Sequence, residues 1–400
     1  MAPEPDARSL RQVNRLRVIE ALYRHPATGR AALARRTGLS RATVSAAIDE
    51  LERAGLVEEH DAPEEPRRRG TGRPPILLSL ARDAAFAVGL DFGHQHLRAA
   101  VCDLSGQSVV DEWSLAEVDY APVETFDLAR DLVCRALDRA AIAPDRLLGV
   151  GMGLAAPINK ITGELEANGI LPGWHGIRPA AEMEARLGIP VQLENDANVG
   201  ALGEHAFGAG QGVDDLVYVR LSAGIGAGLI LGGKPYGGVR GVAGEIGHMI
   251  ARDDGPICRC GNRGCLETIA SPVAIAAMLR SGTGGPVTVA DLLELVNAGD
   301  RGARRVVADA GDAVGRAVSA LVNILNPELV VVGGDLASAG DVLLDPLRAA
   351  IDRYSVPPAA ASVQVVAGML GDRAEVLGAA ALVLARSPRA LAARVERQVP

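Results

Sequence analysis

The sequence predicts an α/β protein in which a small helical domain precedes a larger body of two lobes. A chain of 400 residues is long enough for two or three domains. Its 47 glycines stand against two Trp, five Tyr and four Phe, which favours tight loops between strands and helices over an aromatic-rich sandwich. The order strand, turn, strand and then helix occurs twice, once from residue 84 and once from residue 215. Two similar lobes facing a cleft are therefore expected.

Charge and hydropathy indicate the compartment of the protein and the class of its binding partner. No apolar run reaches the ~18 residues that span a bilayer, and the first 30 residues lack an apolar signal core. We therefore expect a cytoplasmic protein with no membrane partner. Residues 1–80 hold 14 arginines and 11 acidic residues, a net charge of +3, whereas the remainder carries −11. The basic end is a candidate for nucleic-acid binding.

The N-terminal segment has the pattern of a helix-turn-helix. Apolar residues at three-residue steps predict a helix over 10–24, and a short second helix is broken at Gly38. Ser40 is placed to cap a third helix that runs to Gly55. The predicted buried positions are Val13, Leu16, Ile19 and Leu22 in the first helix and Val44, Ile48 and Leu51 in the third. An αα-hairpin inside a larger domain would show the same spacing.

The residues around this motif are suited to DNA. Arg41, Thr43 and Ser45 lie near the start of the third helix, where a recognition helix meets bases and phosphates. Strands predicted at 56–59 and 75–80 would form a wing. Its basic tip carries Arg67, Arg68, Arg69 and Arg73. Residues 1–80 thus predict a winged helix-turn-helix that binds double-stranded operator DNA, with a basic wing or an interdomain linker at 61–75.

The body begins with a hairpin of apolar strands. The first strand, from residue 84, ends at Asp91-Phe92-Gly93, and a second glycine loop carries Gly224, Gly226 and Gly228. This pattern resembles the opening of an actin-like ATPase fold, and in sugar kinases of that fold such turns approach the phosphates of ATP. The predicted first lobe comprises 84–200 plus a C-terminal helix at 376–396, and the second lobe comprises 201–375.

A metal site is predicted in the loop 248–267. His248, Cys258, Cys260 and Cys265 follow one another at spacings of ten, two and five residues. Four such ligands fill the tetrahedral shell of one structural Zn²⁺ per chain and leave no open position for catalysis. A chance cluster of thiols is the alternative.

Two motifs carry a resemblance to a known family. Residues 241–248, GVAGEIGH, and 258–267, CRCGNRGCLE, resemble the ROK family of repressors, open reading frames and sugar kinases. With the N-terminal motif, nearly the whole chain resembles a ROK transcriptional regulator. The resemblance implies a bound sugar or sugar phosphate and a dimer or tetramer. The implied sugar ligands are Asn168, Asn195, Asp196, Glu245, His248 and Glu267. Taken alone, each carboxylate could equally be a solvated surface group.

Family kinases use the residue matching Asp196 as the general base, yet the turns of this chain depart from the kinase pattern. The first turn usually reads Asp-x-Gly-Gly-Thr, and here His94 and Gln95 replace the last two residues. The second usually begins Gly-Thr-Gly, and here begins Ser222-Ala223-Gly224. Phosphoryl transfer depends on positioning, so we expect a severe loss.

We therefore expect no catalytic residues and a sugar-responsive regulator, a repressor of genes for carbohydrate uptake or catabolism. The alternatives are a regulator that retains phosphoryl transfer and a plain sugar kinase with an appended domain.

Overall fold

A computed structural model describes residues 10–61, 76–165, 170–279 and 285–398. The N-terminal domain consists of helices α1 (Leu10–Arg24), α2 (Arg30–Thr37) and α3 (Arg41–Arg53), followed by the antiparallel strands β1 (Val57–Asp61) and β2 (Ile76–Leu80). Gly38 ends α2 with a φ of +70°, which favours glycine. The Ser40 hydroxyl accepts a hydrogen bond from the Thr43 amide at 3.1 Å, as predicted for the cap of α3. The predicted helix-turn-helix and wing strands are confirmed.

A buried ion pair fastens α1 to α3. Arg15 is 4% exposed, and two of its nitrogens donate to Glu50 Oε2 at 2.7 and 3.1 Å. Arg11 donates to the other carboxylate oxygen at 2.7 Å. The buried face of α1 thus includes Arg15 and Val18, whereas Val13 and Leu16, which were predicted to be buried, are half-buried. Apolar spacing alone could not show that an arginine turns inward toward a carboxylate on another helix.

The body contains two sheets of five strands with the same order. In the first, β3, β4 and β5 are antiparallel neighbours, and β6 and β7 continue in parallel from β3. Its elements are β3 (Phe86–Phe92), β4 (His96–Asp103), β5 (Ser108–Leu115), α4 (Pro122–Ala140), β6 (Leu147–Leu154), α5 (Pro179–Leu187) and β7 (Val191–Asn195). Helix α6 (Asp196–Phe207) follows without a loop.

The second sheet repeats this arrangement, with β8, β9 and β10 antiparallel and β11 and β12 parallel to β8. Its elements are β8 (Leu216–Leu221), β9 (Ile225–Leu231), β10 (Lys234–Pro235), α7 (Glu267–Ala270), α8 (Pro272–Ala277), α9 (Val289–Asn297), α10 (Arg301–Leu325), β11 (Leu329–Gly333), α11 (Asp341–Tyr354), α12 (Pro357–Ser362) and β12 (Gln364–Ala367). The chain ends with α13 (Ala374–Leu384) and α14 (Ser387–Gln398).

Helices α6 and α13 lie between the two sheets. Helix α13 packs on β3 and β6 of the first sheet and on α6, and α6 packs on β8 and β9 of the second. The predicted lobe boundaries at 200/201 and 375/376 each fall inside one of these helices and are corrected accordingly. The single helix predicted over 376–396 is also wrong, because α13 ends at Leu384 and α14 begins at Ser387. Pro388 has no amide to donate to the Leu384 carbonyl, so the helix cannot continue through it unbroken.

The N-terminal domain shares a hydrophobic core with the body. Val18, Ile19 and Leu22 of α1 belong to the same buried cluster as Leu391 and Val395 of α14. Arg394 of α14 also donates to the Ala84 carbonyl at 2.7 Å, where the chain enters the first sheet. Among the helices that the structure describes, none alone is long and apolar enough to cross a membrane, although α13 with its flanking turn and α14 would suffice as a bent pair.

The Glu50 pair generates a stability prediction. Burial would raise the pKa of Glu50, but the bonds from Arg11 and Arg15 outweigh it and hold the pKa below its ordinary 4.5. The carboxylate therefore stabilises the fold fully above pH 4.5, and this contribution is lost as the pH falls through the lowered value. Glu50→Ala should cost about 3–5 kcal/mol at pH 7, because it leaves Arg15 buried without its partner.

Urea denaturation from pH 7 to pH 3 measures this, and the difference between wild type and Glu50→Ala should shrink at acid pH. Asp49→Ala is the control, because Asp49 lies next to Glu50 on α3 but makes an exposed pair with Arg30 of α2. It should cost no more than about 1 kcal/mol. Equal losses in the two variants would contradict the assignment.

Candidate sugar pocket and metal centre

A pocket open to solvent lies between the lobes, and the space in and over it, bulk solvent included, amounts to about 540 Å³. Both sheets contribute to its walls, and glycines 224, 226 and 244 let the backbone approach closely. Of the six sugar ligands implied by the family resemblance, five line this pocket: Asn195, Asp196, Glu245, His248 and Glu267. Asn168 lies outside the described residues. The structure thus brings together residues that are separated by up to 72 positions in the chain.

The N-terminus of α6 supplies two of these residues. Asn195 caps the helix, its side-chain oxygen accepting from the amides of Ala197 at 2.9 Å and Asn198 at 3.3 Å. Its side-chain amide donates to the Ala156 carbonyl at 3.2 Å. Asp196 is the first helical residue, and its negative charge is favoured by the dipole of α6. The helix cap therefore fixes the side chain of Asn195 at the pocket, and Asp196 follows it as the first residue of α6.

Arg220 is a pocket residue that the sequence analysis missed. It is 8% exposed, and its guanidinium bonds the Asp196 carboxylate and the Glu375 carboxylate, each at 2.9 Å. Burial lowers the pKa of Arg220, but the charges of Asp196 and Glu375 raise it by more than burial lowers it. The pKa is therefore above its ordinary value, and the guanidinium stays charged. The available signal was a lone arginine in the otherwise apolar strand LVYVRL.

Glu245 and Glu267 face Asp196 from the second lobe. Burial, and then the charges of Asp196 and Glu267, raise the pKa of Glu245 to about 7. Glu267 accepts from Arg259 at 3.0 Å. Arg259 also lines the pocket and was not predicted. Carboxylates in this arrangement can accept hydrogen bonds from several hydroxyls of one ligand.

The four predicted metal ligands form one cluster. The ligand atoms of His248, Cys258, Cys260 and Cys265 all lie within 4.8 Å of one another. His248 Nδ1 lies 3.5 Å from the Cys258 sulfur, and the sulfurs of Cys260 and Cys265 are 3.6 Å apart. A tetrahedral zinc with bonds of about 2.3 Å separates its sulfur ligands by about 3.8 Å. The donor set and its geometry fit one zinc ion.

His248 connects this cluster with the pocket. Its Nδ1 points toward the thiols, while its Nε2 lies 3.8 Å from the Glu245 carboxylate on the pocket side. A metal on Nδ1 would hold the imidazole in this orientation.

The first glycine turn is filled by two histidines. His96 Nε2 lies 2.9 Å from Asp91 Oδ2, and this hydrogen bond is the largest of the effects that raise the pKa of His96. His94 Nδ1 lies 2.7 Å from Asp119, and His94 lines the pocket. A side chain on Gly93 would overlap the His96 ring. The histidines therefore occupy the space along this turn.

The second glycine turn is closed by its own backbone. The Ser222 amide donates to the Gly224 carbonyl at 3.1 Å, and the Ser222 hydroxyl accepts from the Asp335 amide at 3.3 Å. The serine hydroxyl that replaces the usual glycine thus joins β8 to the turn after β11.

The recognition helix presents a partly exposed N-terminal turn. Arg41 is exposed, whereas Thr43 and Ser45 are half-buried, and the Thr43 hydroxyl lies 2.8 Å from that of Ser40. Arg35 and Arg36 at the end of α2 are also exposed, and sequence reasoning did not select them. Arg67, Arg68, Arg69 and Arg73 lie outside the described residues.

Fold and site together define a sugar-kinase-like body joined to a winged helix-turn-helix. The ROK family profile matches residues 87–386, and the MarR family profile matches residues 12–69. The chain belongs to the ROK family and carries a MarR-type winged helix-turn-helix at its N-terminal end.

Individual relatives include both regulators and kinases. The chain is 29% identical over 388 residues to the xylose repressor of Caldicellulosiruptor bescii, covering 94% of this chain and 96% of that protein. The structure of a ROK family transcriptional regulator, a homologue of the E. coli Mlc protein, is 26% identical, with a TM-score of 0.78 and coverage of 97% and 99%. A ROK family glucokinase from Streptomyces griseus, solved with glucose and AMPPNP, is 30% identical, with a TM-score of 0.65 and coverage of 74% and 99%.

The cluster of cysteines generates a metal prediction. The purified protein should contain about one zinc per chain, and Cys260→Ser should lose it, because three ligands hold the ion far less tightly than four. Elemental analysis after gel filtration measures the content. Cys134→Ser, at an exposed position on α4, is the matched control and should keep its zinc. A full complement of zinc in Cys260→Ser would refute the site.

Proposed function

We propose that the protein is a transcriptional repressor that releases its operator when a sugar binds between the lobes. The observation that carries the proposal is that one chain joins a helix-turn-helix to a body with a pocket of hydrogen-bond acceptors, and that the helix-turn-helix shares a hydrophobic core with this body. The relationship to a xylose repressor over nearly the whole chain supports it.

The effector is a neutral sugar. Asp196, Glu245 and Glu267 place three carboxyl groups around the pocket, which can accept hydrogen bonds from the hydroxyls of a ligand. The cations Arg220 and Arg259 are already bonded to Asp196 and Glu267, so neither offers an unpaired charge. D-xylose and D-glucose are the first candidates, because one relative is a xylose repressor and another is a glucokinase solved with glucose.

The pocket binds without phosphoryl transfer. Asp196 stands at the position of the kinase base, but its carboxylate bonds Arg220, and His94 and His96 occupy the first turn. Transfer requires a cradle for the phosphates, which these side chains block.

Zinc completes the binding site as a structural ion. The ligand cluster joins the loop that carries Glu245 to the segment that carries Glu267. The ion would therefore fix the position of one carboxylate relative to the other.

DNA is bound through α3 and the wing. Arg41, Thr43 and Ser45 would contact bases and phosphates, Arg67, Arg68 and Arg69 would contact phosphates, and Arg73 would enter the minor groove. One such domain covers a half-site, so a dimer or tetramer on a pseudo-palindrome follows.

The sugar prediction uses an operator selected from random duplex DNA by the full-length protein. D-xylose or D-glucose should raise the melting temperature and weaken operator binding, and no sugar phosphate should form with ATP. Asp196→Asn should abolish the sugar response and keep sugar-free operator affinity within about threefold, because asparagine keeps an oxygen for Arg220 while the residues proposed to bind DNA lie on α3 and the wing. Asp309→Asn, exposed on α10, is the matched control. Sugar phosphorylation at a kinase rate, or a normal response in Asp196→Asn, would count against the proposal.

The DNA prediction compares two exposed arginines on the recognition helix. Arg41→Ala should weaken operator binding by about 1–3 kcal/mol, because Arg41 lies at the N-terminal end that enters the major groove. Arg53→Ala, at the opposite end, removes the same charge and should have little effect. Fluorescence anisotropy at fixed salt measures both, and equal losses would place α3 in another orientation.

A further inference from the structure

The sugar pocket is joined to α13 by direct helix packing. Asp196 begins α6, and α6 contacts α13 so closely that a side chain on Gly203 would overlap the Ala374 carbonyl oxygen. A side chain on Gly378 would likewise overlap the Val199 carbonyl oxygen. With backbone against backbone, there is no flexible side chain to absorb a displacement of α6.

Glu204 of α6 strengthens this connection. It is 1% exposed, and its carboxylate accepts from the amides of Met369 and Leu370 at 3.1 and 2.9 Å. These residues lie shortly before α13. Helix α6 therefore contacts both the segment that leads into α13 and the middle of α13 itself.

A buried ion pair adds an electrostatic connection. Arg220 holds Asp196 through one nitrogen and Glu375 through another, and Glu375 lies in the first turn of α13. The Tyr218 hydroxyl donates to the same Glu375 oxygen at 3.1 Å. Glu375 itself does not line the pocket. A change in the bonding of Asp196 thus reaches α13 through a single guanidinium.

The far end of α13 reaches the DNA-binding domain. Two residues, Ala385 and Arg386, separate α13 from α14, and α14 packs against α1. Leu384 of α13 and Val395 of α14 share one buried cluster with Ile19 of α1 and Ile48 of the recognition helix.

We propose that Glu375 is a positioning residue through which sugar binding alters DNA affinity, with α13 and α14 carrying the change from the pocket to α1. This inference rests on the proposed function and specifies its internal route. Coupling between two sites is reciprocal, so operator DNA must change sugar affinity by the same factor as sugar changes operator affinity.

The test measures that factor in the full-length protein. The dissociation constant for D-xylose or D-glucose is determined with and without saturating operator, and the wild-type ratio should be about 5- to 150-fold. Glu375→Ala should reduce the ratio to less than about twofold while each separate affinity stays within about threefold. Glu375→Gln, which keeps an oxygen for Arg220, should retain an intermediate ratio. Tyr218→Phe removes the other bond to the same oxygen and should retain the wild-type ratio.

A second variant keeps the inference testable if Glu375→Ala does not fold. Two glycines inserted between Ala385 and Arg386 leave α13 and α14 intact but loosen their connection, and should also lower the ratio. The same insertion between Gly299 and Asp300, at an exposed turn, is the control. A wild-type ratio in folded Glu375→Ala, or in the Ala385 insertion, would overturn the route. A ratio of one in the wild type would instead overturn the proposed function.

Discussion

The contact between α6 and α13 is the constraint on which the rest of the body depends. Glycines 203 and 378 let the two backbones touch, and Gly89 and Gly151 let α13 touch β3 and β6 in the same way. Backbone contacts of this kind leave little freedom in the spacing of the sheets. The width of the pocket follows, because Asp196 is fixed on α6 while Glu245 and Glu267 are carried by the second lobe.

The charges that this packing buries are balanced by one arginine and one histidine. Arg220 lies between Asp196 and Glu375, and His96 bonds Asp91, whose side chain is 2% exposed. A buried carboxylate without a partner costs several kcal/mol, so the bonds from Arg220 and His96 permit an acidic pocket where the lobes meet. The same guanidinium thereby becomes shared between the ligand site and the interior.

Sequence reasoning succeeded where the determining interactions are local. Ser40, Gly38 and the apolar spacing of α3 lie within a few residues of the structure they define, and the predicted zinc ligands lie within 18 residues. The sugar residues came from family motifs. Arg220 and Glu375 were missed because they are 155 residues apart and meet only through tertiary packing. The burial of Arg15 was not predicted for the same reason, because its partner Glu50 lies on another helix. The lobe boundaries failed because α6 and α13 serve both sheets.

Binding without turnover suits the use of this fold as a sensor. A ligand shifts a conformational equilibrium only through its different affinities for two states, and the shift lasts while the ligand stays unchanged. A kinase pocket converts its sugar and so removes the species to which it responds. His96 on Asp91 and His94 on Asp119 close the phosphate turn but leave the acceptors of the pocket in place. On the proposed function, substitutions that block phosphoryl transfer would preserve the equilibrium that regulation requires, and α6 and α13, packed behind the pocket, would carry its change toward α1.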